Sequence, residues 1–392
     1  MSKKVPVGRQ RITVPVLLAR GATLVIALTG CYGCASRAGL DEGNQGGVAG
    51  LSDGQATDDA SQFAPRLLAT GQASPWALAI NDTEIVWYNL GTDESSGKVF
   101  GGWSNGEIMA CEVANCNPHP IVSGRRQTAI ATPLAFAATG GYVLWSDGTS
   151  SAGNGSGQLL KCSVSGCGSG PEVVASAAVR TLAVSASNVY WTAFSSSVGS
   201  CPISGCSTPV DFWHPASSTG TLGITADSSA VYWSTNAGEI VMCAIQGCGR
   251  SPATLVASDA KLAAVNQLTV DDKNVYFVDG NPSGQGKVLF CPKSGCADHP
   301  TVLADALNAP VGIATDGTYV YWTEVGPSVI NGNTVPGAGS VRKCSVVGCK
   351  NTPTEIATGI DNPTAIAVDS RNVYWAEAGA SFGTGRIWAA AK

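Results

Sequence analysis

Twelve of the fourteen cysteines could form local disulfides or hold metal ions, because they occur as six pairs with four residues between the members. The pairs are Cys111/Cys116, Cys162/Cys167, Cys201/Cys206, Cys243/Cys248, Cys291/Cys296 and Cys344/Cys349. Glycine precedes the second cysteine in five pairs and Asn115 does so in the first; both residue types tolerate the positive φ of a tight hairpin loop. Zinc needs four ligands, and pairs in separate repeats lie too far apart to share an ion. We therefore expect six local disulfides, as suits an exported chain, and no metal centre.

The three histidines are poor candidates for catalysis. His119 in CNPHP and His299 in CADHP occupy equivalent positions just after a cysteine pair, and His214 follows another pair in DFWHP. Histidines that belong to a repeat do not converge as a catalytic triad or metal centre requires. The sequence also lacks a glycine-rich phosphate loop after a strand and a serine elbow. We expect no cofactor, and a non-enzymatic function is favoured over an enzymatic one.

The element that positions these residues is a repeated strand. The strand around Trp322 has the sequence VYWTEVG. Similar strands recur as VYWTAFS, VYWSTNA, VYFVDGN and VYWAEAG, and less similar ones as IVWYNLG and VLWSDGT. The seven aromatic anchors are spaced 42 to 58 residues apart: Trp87, Trp145, Trp191, Trp233, Phe277, Trp322 and Trp375. Each anchor strand follows an apolar strand and a polar turn, and a glycine-rich loop leads from it to two further strands. Four short strands per repeat of this length predict an all-β, seven-bladed β-propeller with the aromatics packed between blades.

The cysteine pairs have a fixed place in this repeat. Each pair falls between the third and the fourth strand, and the spacing predicts that its two members lie at the facing ends of the turn that joins these strands. The seventh repeat has no pair, because no fourth strand follows its third. We therefore expect each disulfide to act as a local staple of its own blade.

The last repeat predicts how the ring closes. It ends soon after Gly385-Arg386-Ile387-Trp388, without a fourth strand, whereas PRLLATG near the start of the repeats parallels TEIATG in the sixth. We therefore expect residues 66–70 to pair with the strand around Ile387, so that strands from both termini share one blade. Such closure removes the open sheet edges that a linear array would expose.

The anchor strands resemble a known repeat. VYWTE, VYWAE and LWSD look like the YWTD-type propeller repeat, and the frame is also similar to NHL-like and other secreted bacterial propellers. This resemblance implies the fold and not an activity. Streptogramin-lyase-like proteins share the architecture, which leaves a lyase or hydrolase as an alternative. Four copies carry an acid after the aromatic strand, namely Asp147, Asp279, Glu324 and Glu377.

The first thirty residues predict an export signal. Five basic residues and no acid accompany the apolar run ATLVIALTG, which is too short to span a bilayer as a helix. The run ends in Leu28-Thr29-Gly30-Cys31, which resembles the bacterial lipobox and implies lipidation of Cys31. A plain secretory signal with a chance cysteine is the alternative, and Cys34 matches the lipobox poorly. Loss of the signal takes the net charge from −5 to about −10, which does not suit binding to nucleic acid.

These features divide the chain into three parts. Residues 1–30 are a lipoprotein signal peptide, residues 31–63 are the lipidated cysteine with a tether, and residues 64–392 are the propeller. The tether has no aromatic residue before Phe63 except Tyr32 and no hydrophobic periodicity. We expect a monomer anchored by lipid in the bacterial cell envelope, in the outer membrane or at the cell surface.

The loop after each anchor strand is the most variable part of the repeat. It is long in repeats six, seven, one and two, which are neighbours in a closed ring, and short in repeats three and four. The candidate ligand-binding residues in or beside these loops are Trp103, Asp147, Glu324, Glu377 and Asp93. Aromatic and polar groups together suit a protein or glycan ligand, and an oxygen-only site would favour Ca²⁺ over zinc. The main expectation is a non-catalytic binding scaffold. The alternatives are a lyase or hydrolase using the same loops, a structural element of an envelope assembly, and loops that vary without function.

Overall fold

The computed structural model describes residues 64–392 with short gaps. The described ranges are 64–81, 83–91, 103–127, 135–148, 157–185, 187–193, 196–215, 219–249, 251–260, 262, 265–280, 285–327, 329–330, 333–381 and 383–392. The predicted signal peptide, Cys31 and the tether therefore lie outside the described residues. Within the described residues, no helix has the length and apolar character needed to cross a bilayer.

Seven four-stranded antiparallel sheets form the blades of a β-propeller, as the repeat predicted. The first strands are β2 (Pro75–Asn81), β6 (Phe136–Thr139), β10 (Val179–Ser185), β14 (Thr221–Ala226), β18 (Leu268–Val270), β22 (Pro310–Thr315) and β28 (Pro363–Val368). The second strands are β3 (Glu84–Asn89), β7 (Tyr142–Gly148), β11 (Asn188–Ala193), β15 (Ala230–Thr235), β19 (Asn274–Asp279), β23 (Tyr319–Glu324) and β29 (Asn372–Glu377).

The third and fourth strands complete each blade. The third strands are β4 (Trp103–Glu112), β8 (Gly157–Ser163), β12 (Val198–Pro202), β16 (Ile240–Ala244), β20 (Gly286–Pro292), β26 (Gly339–Ser345) and β30 (Gly385–Ala391). The fourth strands are β5 (His119–Gln127), β9 (Glu172–Ser176), β13 (Val210–Trp213), β17 (Ala253–Val256), β21 (Thr301–Leu307), β27 (Thr354–Ile360) and, in blade seven, β1 (Arg66–Gln72). A two-stranded hairpin, β24 (Val329–Ile330) with β25 (Asn333–Thr334), lies in the long loop of blade six, and a short 3-10 turn spans Ser258–Ala260.

Strands from both ends of the chain close the ring. Strand β1 pairs with β30 in antiparallel register, with Arg66 opposite Ala389 and Gln72 opposite Gly385. The first strands of neighbouring blades contact one another around the whole ring, including β2 with β28. The predicted closure by N- and C-terminal strands is confirmed.

The core consists of seven apolar clusters, and each fills the interface between two neighbouring blades. The second strands supply most of it, because both of their faces are covered by adjacent blades. All seven aromatic anchors are at most 2 % exposed. This confirms that the anchors belong to the core.

All six predicted disulfides are present, each between the two cysteines of one pair: Cys111–Cys116, Cys162–Cys167, Cys201–Cys206, Cys243–Cys248, Cys291–Cys296 and Cys344–Cys349. The Cα atoms lie 4.8 to 5.9 Å apart, within the usual range for a disulfide. The five glycines before the second cysteine have φ between 96° and 126°, so the turn uses the conformation expected of glycine. Asn115 is not among the residues with positive φ, and the first pair thus closes a different turn. We call each unit from a third strand to a fourth strand a disulfide hairpin.

In five pairs the glycine N–H donates to the carbonyl three residues earlier, so the two cysteines flank a tight turn between the third and fourth strands, as predicted. The two members of a pair nevertheless differ in burial. The first cysteine lies in the third strand and is buried, as in Cys111, Cys162, Cys201, Cys243, Cys291 and Cys344. The second lies in the connection before the fourth strand and is only half-buried, as in Cys116, Cys167, Cys206, Cys248, Cys296 and Cys349.

The backbone contacts of the second cysteine explain its position. The N–H groups of Cys206 and Cys296 donate to carbonyls of Val174 and Leu255 in the preceding blade, and not to the third strand of their own blade. The chain therefore turns towards the neighbouring blade at the second cysteine, and pairing with the third strand begins only after it. The spacing of residues within one repeat could not predict a contact with the preceding repeat.

The antiparallel strands give the disc two distinct faces. The turns between first and second strands and the disulfide hairpins lie on one face, which we call the disulfide face. The loops after the second strands and the connections between blades lie on the other, which we call the long-loop face. The strand ends that flank the long loops of blades six, seven, one and two therefore lie on one face in neighbouring blades, as the sequence predicted.

Candidate functional site

Of the predicted ligand-binding residues, the four that the structure describes lie at the strand ends on the long-loop face. Asp93 lies outside the described residues. Trp103 is the first residue of β4, opposite Gln127, and the described part of the structure does not include its side chain. Asp147 lies near the end of β7, half-buried and opposite Gln158.

Glu377 ends β29 as a buried carboxylate, with 1 % of the residue exposed. It accepts hydrogen bonds from the indole Nε1 of Trp388 at 2.7 Å and from the guanidinium Nη1 of Arg386 at 3.1 Å. The backbone N–H of Asp361, in the connection from blade six to blade seven, donates a third at 3.0 Å. A buried carboxylate is stable when it has such donors.

Glu324 ends β23 in the same arrangement, with 3 % of the residue exposed. The indole Nε1 of Trp322 donates to it at 3.0 Å, and the backbone N–H of Asn308 does so at 3.2 Å. The guanidinium Nε of Arg342 lies 3.5 Å from the carboxylate. The connection between two blades is again held by an acid at the end of a second strand.

These contacts revise the role that the sequence suggested for the two glutamates. Their oxygens accept hydrogen bonds from groups of the chain itself, so both side chains support the connections beneath the loops. Among the described residues, no three His, Cys, Asp or Glu side chains are grouped as a metal ion would require.

Blade one achieves the same support with amides. The Oε1 atom of Gln72, at the end of β1, accepts hydrogen bonds from the indole Nε1 of Trp87 at 2.8 Å and from Nδ2 of Asn89 at 2.9 Å. Asn89 occupies the position of Glu324 and Glu377 in its own repeat. Gln72 was not predicted from the sequence. The signal that could have indicated it is Asn89, an amide two residues after the aromatic anchor where four other repeats have an acid.

The long loops of blades six, seven and one leave the disc from one common backbone arrangement. The glycine N–H groups of Gly326, Gly379 and Gly91 donate to carbonyls of the preceding connection between blades, at 3.1, 3.1 and 3.2 Å. Their φ angles are 85°, 83° and 87°, in the left-handed region that favours glycine. We call this arrangement, together with the acid or amide beneath it, the loop base.

A side chain at the glycine of the loop base would also collide with the returning chain. A Cβ atom on Gly326 would lie 2.2 Å from the carbonyl oxygen of Ala338, and one on Gly379 would lie 2.3 Å from Oγ1 of Thr384. Both ends of each loop are therefore fixed close together. The loops of blades six and seven can vary in length and sequence while their positions on the disc stay the same.

None of the three histidines lies on the long-loop face of blades six, seven, one and two. His119 begins β5 and His299 precedes β21, both on the disulfide face. His214 follows β13 at the outer edge of blade three, where it forms an exposed pair with Asp211 at 3.7 Å. The lyase or hydrolase alternative needs a histidine and an acid beside the long loops, and none of the three histidines lies there.

The disulfide face carries a repeated aspartate–tyrosine pair that the sequence analysis did not single out. Asp227, Asp271, Asp316 and Asp369 each accept two backbone N–H groups of their own turn and the hydroxyl of the tyrosine five residues later. Burial would raise the pKa of Asp316, but the Lys392 ammonium and the backbone N–H groups outweigh it and lower the pKa to about 2. Burial and the hydrogen bond to the carboxylate raise the pKa of Tyr321.

Comparison with known proteins identifies the architecture alone. No protein-family model and no curated protein matches the sequence. Among solved structures, the chain is similar to the WD40 β-propeller domain of Doa1, at 10 % identity over 84 % of this chain and 98 % of that one, with a TM-score of 0.56. It is also similar to U3-55K, at 11 % identity over 85 % and 99 % of the two chains, with a TM-score of 0.56. A chain of the mitotic checkpoint complex gives 9 % identity over 87 % and 99 %, with a TM-score of 0.53.

Proposed function

We propose that this protein is an exported, lipid-anchored scaffold of the bacterial cell envelope, and that it binds a protein or glycan through the long loops of blades six, seven, one and two. The observation that carries the proposal is the shared loop base. Three adjacent blades hold loops of different length and sequence on the same fixed backbone arrangement. A rigid scaffold that positions variable loops is a common way to build a binding surface.

The residues in the loops and at the strand ends beside them indicate the kind of ligand. Trp103 and the acids Asp93 and Asp147 combine a flat apolar ring with hydrogen-bond acceptors. An indole offers a large contact area with few rotamers to order, which suits the stacking of a sugar ring or a protein side chain. Glu324 and Glu377 take part indirectly, because they hold the loop bases of blades six and seven.

Affinity capture from envelope extracts tests the binding function. The full chain, immobilised through an engineered tag, is compared with a variant in which residues 92–102 of the blade-one loop are shortened. The proposal predicts that one envelope component binds the unchanged protein and is lost from the shortened variant. Tyr142→Ala is the matched control, because Tyr142 begins β7 on the disulfide face and is 38 % exposed. Capture that survives loop shortening and fails in Tyr142→Ala would refute the proposal.

Cys31→Ala tests the lipid anchor separately. We expect the unchanged protein to incorporate labelled fatty acid and to fractionate with membranes, because several acyl chains on one residue bind a bilayer firmly. Cys31→Ala should lose the label and remain uncleaved or become soluble in the periplasm. Cys34→Ala is the control and should behave like the unchanged protein. Unaltered label and membrane retention in Cys31→Ala would contradict the anchor.

A further inference from the structure

The disulfides lie at the interfaces between blades. Six of the seven apolar clusters include the cystine of the later blade of the pair. In the cluster between blades two and three, for example, Cys201 and Cys206 pack with Leu159 and Val174 of blade two. Each cystine therefore adds to the contact between blades as well as closing its own hairpin.

Hydrogen bonds attach the disulfide hairpin to the outer strand of the preceding blade. The backbone N–H of Cys206 donates to the carbonyl of Val174 in β9 at 2.9 Å. In the same way, the N–H of Cys296 donates to the carbonyl of Leu255 in β17 at 2.9 Å. These contacts cover the outer strand, since Val174 and Leu255 are at most 2 % exposed.

The interface between blades six and seven differs because blade seven has no disulfide hairpin. Its cluster, among the described residues, contains no cysteine. Lys392 of blade seven is equivalent to Lys293, which begins the disulfide hairpin turn of blade five. The backbone N–H of Lys392 donates to the carbonyl of Arg371, and the backbone N–H of Lys293 donates in the same way to the carbonyl of Lys273. Two consequences are visible. Ile356 and Ala357, in the outer strand β27, are only half-buried, whereas Leu255 and Val256 of β17 are buried.

The second consequence is a cleft of about 430 Å³ at this interface on the disulfide face. Its lining includes turn residues of blades six and seven and Lys392: Thr315, Asp316, Thr318, Val368, Asp369 and Lys392. The interface is therefore less completely filled than one that holds a disulfide hairpin.

An ion pair spans this interface. The Nζ atom of Lys392 lies 2.6 Å from Oδ2 of Asp316 in blade six, and both side chains are less than one-fifth exposed. The same Nζ lies 5.9 Å from the centre of the Tyr321 ring. Blades four and five carry an equivalent contact, with Lys293 2.7 Å from Asp227 and 5.9 Å from the Tyr232 ring. The interface between blades four and five also has the Cys291–Cys296 disulfide hairpin. The Lys293–Asp227 and Lys392–Asp316 ion pairs can therefore be compared with and without a disulfide hairpin beside them.

We propose that the ring opens first at the interface between blades six and seven, and that the Lys392–Asp316 ion pair is the contact that restrains this opening. Both blades carry long loops, so a change in their separation alters the spacing of the loops on the opposite face. This inference does not depend on the proposed binding function.

Thiol labelling of buried reporter cysteines measures the opening at each interface. Ala390→Cys reports on the interface between blades six and seven, and Ala230→Cys reports on that between blades four and five; both alanines are 3 % exposed. The exported, oxidised full chain is labelled under native conditions, and mass spectrometry assigns the label to each cysteine. Labelling of a buried thiol requires opening, so its rate reports the population of the open form.

We expect the cysteine at position 390 to react at least roughly tenfold faster than the one at position 230. Lys392→Met should raise the rate at position 390 roughly tenfold, and Lys293→Met should change the rate at position 230 by less than about twofold. Equal rates at the two positions in otherwise unchanged protein would overturn the inference, even if a lysine variant failed to fold. An equal change in labelling rate after Lys392→Met and after Lys293→Met would also overturn the inference.

Discussion

The indole Nε1 of Trp388 in β30 donates a hydrogen bond of 2.7 Å to the buried carboxylate of Glu377 in β29. This contact joins the strand that closes the ring to the strand from which the long loop of blade seven emerges. Arg386 and the backbone of Asp361 complete the environment of the carboxylate. Glu377 therefore contacts both the strand that pairs with β1 and the connection between blades six and seven.

Glu377→Ala should therefore lower stability. It leaves the Trp388 indole and the Asp361 N–H without their acceptor, which we expect to cost roughly 2–3 kcal/mol of the free energy of unfolding. Urea denaturation followed by tryptophan fluorescence measures the change. Glu355→Ala is the control, because Glu355 pairs with Arg342 at the surface with 56 % of its side chain exposed, and loss of such a pair changes stability little. Equal midpoints for the two variants would contradict the role of Glu377.

Gly326→Ala should lower stability more than Gly317→Ala, because only the first adds a collision to backbone strain. Both glycines have positive φ, 85° and 79°. A Cβ atom on Gly326 would lie 2.2 Å from a backbone oxygen, whereas one on Gly317 would have no atom within 4 Å. Backbone strain alone lowers the free energy of unfolding by about 1 kcal/mol. We expect Gly326→Ala to lower it by more than this amount. Similar melting temperatures for the two variants would show that the loop base can adjust.

Acid should destabilise the ring through Asp316. In the folded chain its pKa is lowered from the ordinary value of 3.8 to about 2. A lowered pKa stabilises the fold at pH values above the ordinary pKa, and that contribution is lost as the pH falls from about 4 to about 2. Stability of the unchanged protein should fall across this range more steeply than that of Asp316→Asn, as measured by urea unfolding at each pH. Parallel pH profiles would contradict this account.

Removal of one disulfide should affect two blades. The double variant Cys201→Ser and Cys206→Ser loses a bridge whose short loop contributes about 2 kcal/mol in the chain-entropy model, and it also loosens the contact with β9. Hydrogen exchange should therefore increase in the blade-two segment 172–176 as well as in the hairpin itself. An increase confined to residues 198–213 would show that the bridge acts within its own blade.

The repeat allowed much of the fold to be predicted. The seven aromatic anchors, the six cysteine pairs and the parallel between residues 66–70 and the sixth repeat each specify a local element, and a ring is the arrangement that buries them all. The support contacts could not be predicted in this way. Gln72 meets Trp87 across the interface between blades seven and one, and Lys392 meets Asp316 across 76 positions of the sequence. The burial of Glu324 and Glu377 likewise depends on partners that only the assembled blades bring together.

The affinity of Trp103→Ala for the ligand captured by the unchanged protein is the most informative measurement of the proposed binding function. The account places the ligand over the long loops, off the centre of the disc, with Trp103 as an anchor. The substitution should weaken binding by about 2 kcal/mol or more, roughly thirtyfold, without lowering the melting temperature. Tyr142→Ala, on the disulfide face, should bind like the unchanged protein. Normal binding by Trp103→Ala together with a loss of binding in Tyr142→Ala would contradict the account and place the ligand on the opposite face.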